Sequence, residues 1–137
     1  MPDATDVALR ALRHRDRSRR ELDQRLAKAG IEVGEREETL DRLTDSGLVS
    51  DKRFAAGRAR SLAARGAGND LIRTDLRRRG VPSDAVERAI AELEAEEVRA
   101  AELHERRGGD EKALRYLAGK GFSRETLEGI GSDLPVD

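Results

Sequence analysis

"SRRELDQRLAKAGI", residues 18–31, reads as one helix with both of its ends written into the sequence. Ser18 and Glu21 form an S-x-x-E capping box, in which each side chain satisfies the other residue's otherwise orphaned backbone N–H. Leu22 and Leu26, four apart, fall on one face. Gly30 stands as the stop of the helix, and the apolar Ile31 follows it immediately. The same grammar recurs in "LIRTDLRRRGV", residues 71–81, and in "ALRYLAGKGF", residues 113–122. Anchored on Gly30, Gly80 and Gly121, each copy has an apolar residue four positions earlier (Leu26, Leu76, Leu117) and another eight earlier (Leu22, Ile72, Ala113). Each also has one immediately after the glycine (Ile31, Val81, Phe122).

Ser18, Asn69 and Asp110 stand as the caps of these three helices. Before each lies a further apolar-periodic segment (Leu9 and Leu12; Ala59 and Leu62; Val98 and Leu103), and after each glycine another (Leu40 and Leu43; Val86 and Ile90; Leu127 and Ile130). Three helices therefore recur three times, over about 5–15, 18–29, 34–46, 50–65, 69–79, 83–95, 96–107, 111–119 and 124–130. The sixth and seventh could run on as one, because nothing between Glu92 and Val98 breaks a helix, although the apolar stripe changes phase there. One such unit buries too little to stand alone, so neighbouring units must stack. The fold class expected is all-α: three tandem three-helix units stacked into an elongated, curved molecule. Residues 1–48 make the first unit with a short N-terminal tail, 49–95 the second, and 96–137 a third, shorter unit with a C-terminal tail.

The handover between the first two units is read from "GLVSDKRFA", residues 47–55. Gly47 ends one helix, Ser50 caps the next, and Asp51 meets the positive end of its dipole. Val49 and Phe54 then occupy N′ and N4, the two positions of a hydrophobic staple that fixes the entry angle of the chain.

Composition agrees with a helical protein: 40% of residues are charged, 36% hydrophobic and only 2% aromatic. There is no cysteine, which excludes disulfides and thiolate metal sites. No apolar run is long enough for a membrane span, and the acidic start "MPDATDVALR" is unlike a secretory signal, so a cytoplasmic location is expected. The net charge is −1, but it alternates in blocks. Residues 8–20 carry six Arg against one Asp, and residues 51–79 nine basic residues against three Asp. Residues 32–45 carry six acids against two Arg, and residues 84–105 eight acids against two Arg.

No catalytic constellation emerges. His14 and His104 have no metal-ligand spacing and read as solvated helical histidines. "AGKGFS" misses the spacing of a phosphate loop, because Phe122 separates Gly121 from Ser123. "GAG" at 66–68 follows no strand. The acidic clusters lack an attendant base, nucleophile or metal set. No catalytic residue, metal or cofactor is expected, and the chain reads as a non-enzyme.

Taken in order, "RSRRELDQRLAKAGI", "GLVSDKRFA", "LIRTDLRRRGV" and "GKGFSRETLEGI" resemble the RecX family of regulators of the RecA recombinase, over nearly the whole chain from Ala8 to Ile130. That resemblance implies three tandem three-helix units in a curved array. It also implies a monomeric regulator that binds RecA filaments along their groove, inhibits recombinase activity and meets DNA within the filament. The charge pattern nominates the contact residues. Arg73 and Arg77, four apart on the second unit's middle helix, correspond to Asp23 and Ala27 in the first unit and to Leu114 and Ala118 in the third, so this stripe is not needed to build a unit. Arg78 and Arg79 extend it. Among the arginines of residues 10–20, Arg13 and Arg17 line up, with Arg19 and Arg20 beside them. The competing reading of the stripe is pairing with the acidic sixth helix. The competing function is a helical DNA-binding regulator of helix-turn-helix type, disfavoured by the equal acidic blocks and the scarcity of stacking aromatics.

Overall fold

The computed structural model describes residues 2–132. Among them are nine α-helices and no strand. They are α1 (Ala4–Leu12), α2 (Arg19–Lys28), α3 (Val33–Asp45), α4 (Asp51–Ala64), α5 (Asn69–Arg78), α6 (Ser83–Ala91), α7 (Glu96–Arg106), α8 (Glu111–Gly119) and α9 (Arg124–Gly131).

The middle helix of each unit ends as its sequence dictates. Ser18 caps α2 by accepting the Glu21 N–H at 3.1 Å, and the Glu21 carboxylate accepts the Ser18 N–H at 3.1 Å. At the other end Gly30 has φ +85°, and the Ile31 N–H reaches back to the Leu26 carbonyl at 3.1 Å. Gly80 (φ +82°) and Gly121 (φ +84°) end α5 and α8 with the same bonds, Val81 to Leu76 and Phe122 to Leu117. In each case the residue after the glycine is buried together with the leucine it bonds, the hydrophobic contact that accompanies this kind of stop.

Three separate cores result. Leu22, Leu26, Ile31, Leu40 and Leu43 fill the first, and Phe54, Leu62, Ile72, Leu76 and Val86 the second. The third is smaller, with Ala100, Leu117 and Phe122 buried and Leu103, Tyr116, Leu127 and Ile130 packed around them. All substantial helix-on-helix packing lies within a trio. The molecule is thus three tandem three-helix units stacked into an elongated, curved array.

Several local expectations change. α1 stops at Leu12, because the Arg17 Nε takes the Ala11 carbonyl at 2.8 Å and Asp16 turns away to Arg53. α6 and α7 are separate helices. Leu93 packs on the second core while Ala100 belongs to the third, and one straight helix cannot serve both, so the chain turns at Glu92–Ala95. The N-cap of α5 is Gly68 and not Asn69. Ser50 caps α4 by accepting the Arg53 N–H at 3.1 Å, but Val49 enters the first core and Phe54 the second. The two side chains therefore bracket the cap and do not close over it as a staple. His104 is buried, its Nε2 donating to the Asp110 carbonyl at 3.1 Å, whereas His14 is exposed.

The units meet in one repeating register, the start of a middle helix against the glycine turn of the next unit. Ser18 donates its hydroxyl to the Arg79 carbonyl at 2.6 Å, just before Gly80. Gly68 donates its N–H to the Lys120 carbonyl at 2.8 Å, just before Gly121, and the Asp70 N–H reaches the Gly121 carbonyl at 2.9 Å.

Candidate partner-binding surface

The second unit's basic stripe is divided by its neighbours. Arg73 is clamped by Glu87 of α6, through two bonds of 2.8 and 3.0 Å, and by Asp70 at 3.1 Å. Its hydrogen bond to Glu87 raises the guanidinium pKa against the opposing effect of burial, and lowers that of Glu87. Arg73 thus ties α5 to α6, one turn of the acidic sixth helix answering one turn of the basic fifth. Arg77 and Arg78 are exposed and, among the described residues, form no ion pair. Arg78 opens onto a groove lined by Asp70, Leu71 and Thr74 of α5 and by Ala118 and Gly119 of α8.

Arg79 faces the other way, into the junction with the first unit. Its guanidinium bonds Glu21 at 2.8 Å and Asp75 at 3.0 Å, and Asp75 also accepts a two-pronged bond from Arg58 at 2.9 and 3.0 Å. The bond from Arg58, outweighing burial and reinforced by Arg79, holds the Asp75 carboxyl below its ordinary value. Burial alone would raise Glu21, but the Ser18 N–H, Arg15 and Arg79 together bring it below the usual range. The network therefore stays ionised and fixed near neutral pH.

The first unit's arginines are sorted in the same way. Arg17 is spent on the Ala11 carbonyl, and burial followed by the nearby charges of Arg15 and Arg25 lowers its pKa. Arg19 bonds Asp41 at 2.7 Å with its side chain and Asp51 at 2.9 Å with its backbone N–H, so Asp51 links the starts of α2 and α4. Arg13 is exposed and unpaired among the described residues at the end of α1. Arg20 is exposed, and its aliphatic stem lies directly over Gly80. Arg20 of the first unit is thereby brought against Gly80, just past the end of α5 and 60 residues away in sequence.

Two family models match this chain, one described as the first three-helix domain of RecX over residues 4–43 and the other as its second three-helix domain over residues 50–90. The chain belongs to the RecX family. Among relatives named "Regulatory protein RecX", that of Chromohalobacter salexigens is 42% identical over 132 residues, covering 89% of this chain and 86% of its own. The Halorhodospira halophila protein is 35% identical, covering 96% of this chain and 88% of its own. The crystal structure of RecX from Lactobacillus salivarius superposes with a TM-score of 0.80 over 96% of this chain and 94% of its own, at 24% identity, which establishes the shared fold.

One group of cations in this RecX-family chain escaped sequence reading. Arg106, Arg107, Lys112 and Arg115 line a single cleft of the third unit together with Ala113 and Tyr116. The stretch "RRGGDEKALRY" partly hides them, because Asp110 and Glu111 split the four basic residues and halve their charge to +2 in sequence. The double glycine between two arginines and a lysine was the available signal, since it marks a turn that brings both sides together. No helix among the described residues is long and apolar enough to cross a membrane.

Proposed function

We propose that this RecX-family chain binds filaments of the RecA recombinase along their groove and lowers recombinase activity, acting as a monomer, in the cytoplasm and without a chemical step of its own. The exposed arginines Arg20, Arg77 and Arg78, which form no ion pair among the described residues, support this reading most directly. A chain that commits Arg19, Arg73 and Arg79 to internal carboxylates leaves these neighbours for an outside partner. An elongated array suits a groove, because each unit presents its own surface along one track. The family membership supplies the partner class.

The test is inhibition of the DNA-dependent ATPase of RecA, with co-sedimentation on assembled filaments. Reversal of Arg77 and Arg78 to Glu should leave helicity and melting nearly unchanged and weaken inhibition about tenfold or more, with binding that fades as salt rises. Arg20→Glu should add to the loss. Reversal of Arg73 should instead loosen α5 from α6 and lower stability. A folded Arg77→Glu/Arg78→Glu protein that inhibits as strongly as the parent removes this surface from the contact.

A further inference from the structure

The cleft of the third unit is not accounted for by the surface around α5. Arg106 and Arg107 close α7, Lys112 and Arg115 stand three apart on α8, and the cleft between them measures about 710 Å³. No acidic side chain lines it. Among the described residues none of these four cations forms an ion pair, in contrast to Arg19, Arg53, Arg58, Arg73 and Arg79. Asp110 is occupied elsewhere, accepting the Ala113 N–H at 2.9 Å as the cap of α8.

The arrangement is held in place. Gly108 and Gly109, with φ of +107° and +68°, fold the chain back between α7 and α8, and the bond from His104 to the Asp110 carbonyl pins the turn. The Arg107 guanidinium lies 3.5 Å from the centroid of the Tyr116 ring, which itself rests on the third core. Tyr116 is the chain's one tyrosine, and both phenylalanines are buried. The one tyrosine or phenylalanine ring that is not buried, half-exposed Tyr116, therefore coincides with a cleft lined by four cations that form no ion pair.

We propose that this cleft binds a single strand of nucleic acid, with Arg106, Lys112 and Arg115 on successive phosphates and the outer face of the Arg107–Tyr116 stack against a base. Cations alone would serve an acidic protein segment equally well. The planar stack is what favours a strand, since bases pile on aromatic and guanidinium planes while carboxylates do not. The site does not depend on the filament reading, because it should hold a strand with no recombinase present.

The experiment is fluorescence anisotropy of a labelled oligo-dT titrated with the whole chain at several salt concentrations, beside an abasic strand of equal length and a poly-glutamate peptide. The triple variant Arg106→Ser/Lys112→Ser/Arg115→Ser should weaken oligo-dT binding and flatten the slope of log K against log salt by about 2, near 0.7 for each lost phosphate contact. Tyr116→Leu should weaken oligo-dT binding about tenfold while barely changing the abasic strand, and Arg107→Ser, which leaves the core intact but removes a charge, should weaken oligo-dT binding more than abasic binding. Absence of binding by the parent chain overturns the proposal, as does an unchanged slope in the triple variant. Poly-glutamate binding of equal strength, with Arg107→Ser affecting all ligands alike, overturns it in favour of an acidic protein partner. Filament inhibition by the same variants is a separate readout, so failure of one reading leaves the other standing.

Discussion

Between the first and second units charged side chains surround the Ser18–Arg79 bond: Arg79 bridges Glu21 and Asp75, Arg53 holds Asp16, and the stem of Arg20 covers Gly80. Between the second and third units, in the same register, the contact is made by backbone and one buried carboxylate. Glu96 accepts the Asn69 N–H at 2.7 Å with one oxygen. With the other it accepts the Ser123 hydroxyl at 2.6 Å, the Thr126 hydroxyl at 2.7 Å and the Ser123 N–H at 3.2 Å. Arg99 adds bonds to the Ala67 carbonyl and the Asn69 side chain. A repeat thus conserves where its units touch while leaving the chemistry of contact free. The physical consequences differ. An exposed ion pair such as Arg53–Asp16 contributes about 0–1 kcal/mol and weakens with salt, the half-buried pairs of Arg79 are screened less, and hydrogen bonds to a buried charge such as Glu96 contribute about 1.5–3 kcal/mol and are poorly screened.

The three stop glycines offer the largest test of this contrast, because they share one left-handed φ and differ only in what lies against them. A Cβ on Gly121 would sit 2.6 Å from the backbone nitrogen of Leu71, which cannot move without parting the second and third units. Gly121→Ala should therefore destabilise by about 3 kcal/mol or more, combining left-handed strain with overpacking. On Gly80 the atoms nearest the added methyl belong to the Arg20 side chain, 2.1 Å to its Cδ and 2.5 Å to its Cβ, and Gly80→Ala should cost about 2 kcal/mol. An added Cβ at Gly30 meets nothing within 4 Å, so Gly30→Ala should show the backbone strain alone, about 1–2 kcal/mol. Thermal melts that fail to rank the three in this order would break the contrast.

An effect smaller than that of Gly121→Ala is expected from Glu96→Gln. The amide keeps the carboxylate's shape but turns an N–H toward another, either at Asn69 or at Ser123, and should cost about 2 kcal/mol. Hydrogen exchange at the Asn69 amide should quicken while that of Arg19 stays unchanged. Burial alone would raise the Glu96 pKa, but bonds from Ser123, Asn69 and Thr126 outweigh it and leave the carboxyl below its ordinary value. A depressed folded pKa means that the stabilisation is full above the ordinary carboxyl range, about pH 4, and is lost as pH falls through the lower folded value. Glu21 and Asp75 are shifted in the same direction, so acid should loosen both junctions together.

Salt should separate them, with the smallest effect of the series. Arg79→Met keeps the buried stem and removes the bridge, and should cost about 1 kcal/mol or less at low salt and still less at high salt. Raising salt should quicken exchange at the Arg19 amide, which bonds Asp51 across the first junction, and leave the Gly68 amide of the second unaffected. Equal salt response at both amides would show that the first junction rests on packing and not on charge.

What the sequence determined by itself is the repeated unit. Caps such as Ser18, stops such as Gly30 and the apolar spacing of Leu22 and Leu26 act over four or five residues, so the chain carries their complete description. Even the break between α6 and α7 was present as a change of phase in the apolar stripe. The fate of each arginine was not. Arg73 meets Glu87 across 14 positions, Arg53 meets Asp16 across 37 and Arg79 meets Glu21 across 58, while Arg77 and Arg78, adjacent in sequence, meet no carboxylate among the described residues. Charge pairing acts through space within a few ångströms, and only the tertiary structure decides which of two neighbouring arginines lies inside that distance. The same reason hid the third unit's cleft, whose cations and acids interleave along the chain and separate only when the Gly108–Gly109 turn folds them onto different faces.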